Sequence, residues 1–244
     1  MASSDDTSAP ASEALARVLL ERAATATHLG PSRASFAAVG AAGAAGRDDV
    51  LPPLYAASFA QGADPGEVYE TTLQLVLFCG YPRAIAALDA LDRARAAAGI
   101  DPWPPTRSAT APARPSDATD LPSTDALART WETGLALAGR VYGKNVDRLR
   151  ARMRRISPEL EQWMILEGYG RVLARPGLDL AGRECSVVPA LTALAAFPQL
   201  DSHLRGALAL GLARPALEEA ILIAEAVAPP GAGERARALL ARLA

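Results

Sequence analysis

The sequence predicts an all-α protein, and three observations carry that prediction. Half of the 244 residues are hydrophobic, yet aromatics make up only 5%, so Ala and Leu must fill the core. Both are strong helix formers, and the small Ala side chain lets helices approach closely. No long alternating Val/Ile/Thr run of the kind that marks strands is present. Apolar residues instead recur at helical spacing between Pro and Gly breaks.

Taken in chain order, residues 1–12 are rich in Ser, Asp and Ala and read as a disordered tail. Helical spacing begins near Glu13, with Leu15, Val18, Leu19 and Ala23. The stretch 35–46 is apolar and small. It reads as a tightly packed helix or a loosened one, because Gly40, Gly43 and Gly46 each weaken a helix. Pro52 and Pro53 mark the next start, and a helix over 55–61 ends at Gly62. Asp64 then reads as an N-cap, Pro65 as the first helical residue, and Glu67 lies in the first turn. That helix, 65–78, stops at Gly80, and Pro82 opens another over 83–98.

Between 99 and 123 the composition changes. Pro102, Pro104, Pro105, Pro112, Pro115 and Pro122 stand mainly among Ser, Thr, Ala and Asp, which reads as a linker. Helices follow over 124–142 and 145–156. Ser157 and Pro158 then cap and open a helix over 158–173, broken at Pro176 and Gly177. Asp179 caps the next, which runs to about Ala195 with Pro189 inside it, a place for a kink or an early stop. Pro198 starts a helix ending at Gly211, Pro215 one ending near Ala228, and Glu234 the last.

The formal net charge is -2. No basic stripe with interleaved aromatics is present, so no nucleic-acid partner is expected. Arg148, Arg150, Arg152, Arg154 and Arg155 read as the solvated face of a helix. The two cysteines, Cys79 and Cys185, form no CxxC, which argues against a disulfide scaffold or a dithiol centre. The N-terminus lacks a signal-peptide pattern, and no apolar run reaches membrane-span length. A soluble, cytoplasmic protein without a membrane partner is expected. Two histidines without a clustered set of ligands predict no metal, and the absence of a glycine-rich phosphate loop predicts no nucleotide; no cofactor is expected.

Two stretches, 54–88 and 203–239, match in outline. Each has a helix, a Gly stop, a short turn, a second helix, a break and a third helix. The register pairs Gly62 with Gly211 and Glu70 with Glu219; carried backward, it pairs Ser35 with Glu184 and Leu54 with His203. This predicts two tandem related helical units, 13–98 and 124–244, of which the first is degenerate because it lacks the polar pair.

In the second half, the run GYGRVLARPGLDLAGRECSVVPALTALAAFPQLDSHLRGALALG, 168–211, carries Arg183-Glu184 opening an apolar helix. Next comes a helix with His203, the small residues Gly206 and Ala207, and a stop at Gly211. In the first half, EVYETTLQLVLFCGYPRAIAAL matches a later helix of the same pattern. These motifs resemble the carboxymuconolactone decarboxylase and alkylhydroperoxidase D family. The resemblance covers about two-thirds of the chain, judged from the aligned stretches. It implies an alkylhydroperoxidase D-like helical fold and assembly into a homo-oligomer. Peroxidase members carry a CxxC before the His, and the matching positions here are Ala196 and Gln199. The resemblance therefore favours the decarboxylase branch, a lyase, acting on a small anionic lactone or oxo-acid.

Glu184 and His203 are the candidate catalytic residues. Glu184 lies among Cys185, Val187, Val188 and Leu191; facing the core, it would be desolvated and suited to proton transfer, and otherwise it is an early-turn Glu favoured by the helix dipole. His203 shares a helix face with Gln199, Gly206 and Ala207, and a Glu-oriented imidazole is a general acid or base near neutral pH. Arg183, Arg205 and Arg171 are candidates for binding a substrate carboxylate, Arg205 foremost because it stands close to His203 in sequence. Cys185 is a candidate redox thiol, with a buried inert cysteine as the plainer reading. His28 reads as a helix C-terminal cap, and Trp163 and Tyr169 as pocket-lining or packing residues. Two rival functions stand beside the enzyme: a non-catalytic helical assembly protein, and a one-cysteine peroxidase through Cys185.

Overall fold

Side-chain capping sets the start of four helices in the computed structural model, which describes residues 8–101 and 123–243. Asp64 accepts from the backbone N–H groups of Gly66 and Glu67 at 2.8 and 3.1 Å and starts α4 (Pro65–Leu73). Ser123 caps α6 (Thr124–Tyr142), Ser157 caps α8 (Pro158–Trp163) and Asp179 caps α9 (Leu180–Ala193). The other helices are α1 (Ser8–Thr25), α2 (Pro31–Ala45), α3 (Leu51–Ala60), α5 (Val76–Ala97), α7 (Val146–Ile156), α10 (Phe197–Ala209), α11 (Arg214–Ala224) and α12 (Ala232–Ala241). Among the described residues there is no strand, so the protein is all-α.

Several limits differ from expectation for physical reasons. The last residues of the expected tail, Ser8 to Ser12, belong to α1; the rest of that tail, 1–7, and the linker core, 102–122, lie outside the described residues. Gly80 interrupts α5 at φ 76°, a left-handed conformation that glycine adopts without a Cβ clash, and Pro82 then opens the longer arm as expected. α9 runs through Pro189 without stopping. α8 continues from Met164 to Leu173 in wide, π-type turns, so that the Ala174 N–H reaches the Tyr169 carbonyl.

The described residues form two compact units. One holds residues 8–101 together with 178–243; the other holds 123–177. Residues 178–243, expected to group with 124–177, therefore pack with the first half of the chain. The second unit is a helical hairpin in which α6 lies against the π-type turns, with α7 against α8. Its arginine run does more than face solvent: Arg150 and Arg154 converge on the buried Glu161 at 2.7 and 3.1 Å. Tyr169 packs there, its hydroxyl donating to that of Tyr142, whereas Trp163 is exposed.

The first unit is organised on α2 and α9, which run against each other through its centre. α3, α4, α5 and α11 pack on α2, and α10, α11 and α12 on α9. The core is aliphatic, built around Leu19, Leu51, Leu75, Leu200, Leu217 and Ile221 with many buried alanines. The glycine-rich stretch proves to be a tightly packed helix because of α9: a Cβ at Gly40 would stand 2.3 Å from the Ser186 carbonyl oxygen. The helix-weakening glycine is thus what permits the close crossing.

Some helix limits of the first unit fall in the register expected for the repeat, and others do not: Leu51, the start of α3, is set on Leu200, whereas α10 starts at Phe197. Pro31, the start of α2, falls on Leu180, the start of α9, and Pro65, the start of α4, falls on Arg214, the start of α11. Ala60 and Ala209, the ends of α3 and α10, coincide. Among the described residues no single helix is long and apolar enough to cross a membrane.

Candidate functional site

The N-terminal turn of α9 and the middle of α10 bring the two candidate catalytic residues together. The Asp179 cap fixes where α9 begins, so that Arg183 and Glu184 fall in its first turns with both side chains inward. Glu184 is 8% exposed and His203 11%. The His203 Nδ1 stands 3.1 and 3.0 Å from the two carboxylate oxygens of Glu184. A proton on Nδ1 donated to the carboxylate leaves Nε2 as the nitrogen available to another molecule.

A second polar group lies beside this pair. Arg183, 2% exposed, donates through Nη2 to Glu70 Oε2 at 3.2 Å and through Nη1 to Gln74 Oε1 at 3.4 Å. Gln74 in turn donates through Nε2 to the Arg183 carbonyl at 3.3 Å. The ring of Phe78 stands edge-on to that of His203, 5.6 Å between centroids at 79°. A buried charge needs such pairing, since the desolvation penalty otherwise dominates.

Of the sequence-predicted residues, the structure brings together Glu184, His203 and Arg183. Arg205 is exposed and pairs with Asp201 one turn earlier on α10, at 3.0 Å. Two residues along a helix is about 200° around it, so closeness in sequence to His203 sets Arg205 on a different face. Arg171 belongs to the other compact unit, where it pairs with Glu167 at 3.4 Å. Cys185 is fully buried, and burial pushes its thiol up to about 12, so little reactive thiolate exists near neutral pH. Burial likewise raises the Cys79 thiol.

Glu70, Gln74 and Phe78 were not singled out by the sequence. A signal existed: Glu70, Thr71, Thr72 and Gln74 are four polar side chains, all buried, at the end of a short helix. Their setting in the degenerate half concealed it. His28 is held differently from a simple helix cap: its backbone N–H and ring Nδ1, with the Leu29 N–H, all meet the Glu219 carboxylate within 3.1 Å. Among the described residues no group of three His, Cys, Asp or Glu side chains is gathered as a metal site.

Comparison with protein-family models and with curated proteins finds no match for the chain.

Proposed function

We propose that this protein is a carboxymuconolactone decarboxylase-like lyase in which Glu184 and His203 are the acid–base pair. The observation that carries the reading is the contact of about 3 Å between the imidazole and carboxylate, both nearly withdrawn from water. The family motifs in the sequence lend the reaction class, and the sequence register lends the reading that 13–98 is a degenerate copy of the repeat in 124–244.

The chemistry follows from the pair. When the bond between a substrate carbon and its carboxylate breaks, CO2 leaves and the electron pair stays on carbon. That carbon must gain a proton. An imidazolium held by Glu184 through Nδ1–H donates the proton from Nε2, and the neutral ring recovers one from solvent. The carboxylate holds the ring's orientation and the proton on Nδ1, a role a buried acid plays beside a catalytic histidine. The substrate is a small anionic lactone or oxo-acid. Arg205 lies on another face of α10 from His203 and pairs with Asp201, so it is not assigned to the substrate. Arg183 is committed to Glu70 and serves the interior.

Turnover of 4-carboxymuconolactone, followed by CO2 release, tests the reading. His203→Ala is expected to lose at least about 100-fold in kcat, and Cys185→Ser to change nothing. Wild-type protein inert towards the lactone, or a His203→Ala variant of full activity, overturns it. A non-catalytic assembly role is the runner-up, favoured by the exposed Ile156, Leu160 and Trp163 around the α7–α8 junction. A stable oligomer in light scattering without lactone turnover or peroxide consumption supports that alternative. Peroxide consumption lost in Cys185→Ser would instead restore the one-cysteine peroxidase.

A further inference from the structure

We infer that Gln74 and Phe78, supplied by the first half of the chain, are positioning residues for the Glu184–His203 pair, so that the site is assembled from both halves. The inference rests on the reading of that pair as an acid–base centre.

The Arg183 carbonyl and the Glu184 N–H belong to one peptide unit, so a contact to that carbonyl bears on where Glu184 projects. Gln74 engages Arg183 at two points: its amide N–H donates to the Arg183 carbonyl, and its amide oxygen accepts from the guanidinium. Gln74 is itself fully buried. An alternative placement of this backbone would strand a buried amide. Glu70, one turn earlier, takes the other guanidinium nitrogen. One turn after Gln74, Phe78 meets the imidazole edge-on. A single segment thus grips both ends of the pair, the carboxylate through its neighbour and the ring directly.

The repeat register supplies a second, independent argument. It sets Gln74 opposite Ile223 and Phe78 opposite Val227. Those two aliphatic residues fall in the unit whose register partner carries Ser35 and Leu54 in place of Glu184 and His203. Where the end of α4 and the start of α5 meet α9 and α10, Gln74 and Phe78 supply an amide and an aromatic ring; where α11 packs on α2, the helix of Ser35, the register-matched residue is the aliphatic Ile223.

The test uses the full chain with 15N-labelled histidine. In the wild type the His203 nitrogen shifts report the tautomer protonated at Nδ1, as the Glu184 contact requires. In Gln74→Met, which keeps length and loses both polar contacts, the Nε2-protonated tautomer is expected to gain. Lactone kcat is expected to fall about tenfold with KM changed less than about twofold, because misplacing a catalytic group weakens the transition state more than binding. Phe78→Leu is expected to act in the same direction and Phe78→Tyr, which retains the ring, to restore wild-type behaviour. Phe78 is only partly buried, so its variants carry the test if Gln74→Met fails to fold. Folded variants with unchanged tautomer and unchanged kcat overturn the inference while leaving the lyase reading intact. A wild type without lactone turnover whose tautomer nevertheless shifts in Gln74→Met overturns the lyase reading and leaves the positioning role standing.

Discussion

Two regions of the first unit share the register of the sequence repeat yet hold opposite contents. On α9 and α10, Glu184 meets His203; on α2 and α3 the same register sets Ser35 and Leu54. Ser35 satisfies itself by donating to the Ser32 carbonyl at 2.8 Å, and Leu54 is buried in the aliphatic core. The two register-matched glutamates differ as well. Glu70 faces a buried guanidinium, whereas Glu219 gathers the backbone and ring of His28. Helix order and helix limits therefore place no demand for a polar interior on this arrangement. The polar cluster around Glu184 opposes burial through desolvation and persists with a dense set of partners.

The comparison breaks most visibly if the pair is moved. Leu54→His replaces a buried aliphatic side chain by an imidazole without an acceptor and is expected to cost roughly 3 kcal/mol. Adding Ser35→Glu should recover about 1 kcal/mol if the register is also a spatial correspondence, because partners in contact couple by about that amount. Urea denaturation of the two single variants and the double gives the coupling directly. A coupling of zero would mean that the two halves correspond in sequence but not in geometry.

The same contrast explains what the sequence disclosed. The starts of α4, α8 and α9 were legible because Asp64, Ser157 and Asp179 act on backbone groups two or three residues away. α2 was ambiguous because its stability comes from α9, which meets it at Gly40 and Ser186. The Glu184–His203 pairing was legible as a motif order. Its supports were not, since Glu70, Gln74 and Phe78 reach the site across a long sequence separation. Arg205 shows the converse error: nearness along a helix was read as nearness around it.

Glu219 sharpens the contrast with a smaller effect. Desolvation raises its carboxyl, but hydrogen bonds from the His28 ring and from the His28 and Leu29 backbone outweigh this and hold it below its ordinary value of 4.5. A depressed carboxyl contributes stability that is present above the ordinary value and is lost as pH falls through the folded one. Glu219→Gln is expected to cost up to about 1 kcal/mol at pH 7 and to flatten the fall in stability below about pH 4.5. An unchanged acid limb in thermal melts would show that the carboxylate holds the α1–α2 connection without depending on its charge.

The smallest effect concerns how the two central helices end. α2 ends at Gly46, φ 70°, and the register partner just beyond α9 is Ala195, φ 52°, the one non-glycine residue with positive φ among those described. Left-handed backbone costs an L-residue roughly 1–2 kcal/mol, while glycine loosens the unfolded chain by about 0.4–1 kcal/mol. Ala195→Gly should therefore stabilise by about 0.5 kcal/mol. Gly46→Ala should destabilise by somewhat more, because its new Cβ would stand 3.3 Å from the Arg83 Nε. Opposite shifts of the urea midpoint at constant slope would show that the same turn closes both helices. A loss of stability in Ala195→Gly would mean that the Ala195 methyl group contributes more by packing than the backbone costs. The strained residue would then be holding the connection into α10, and with it His203.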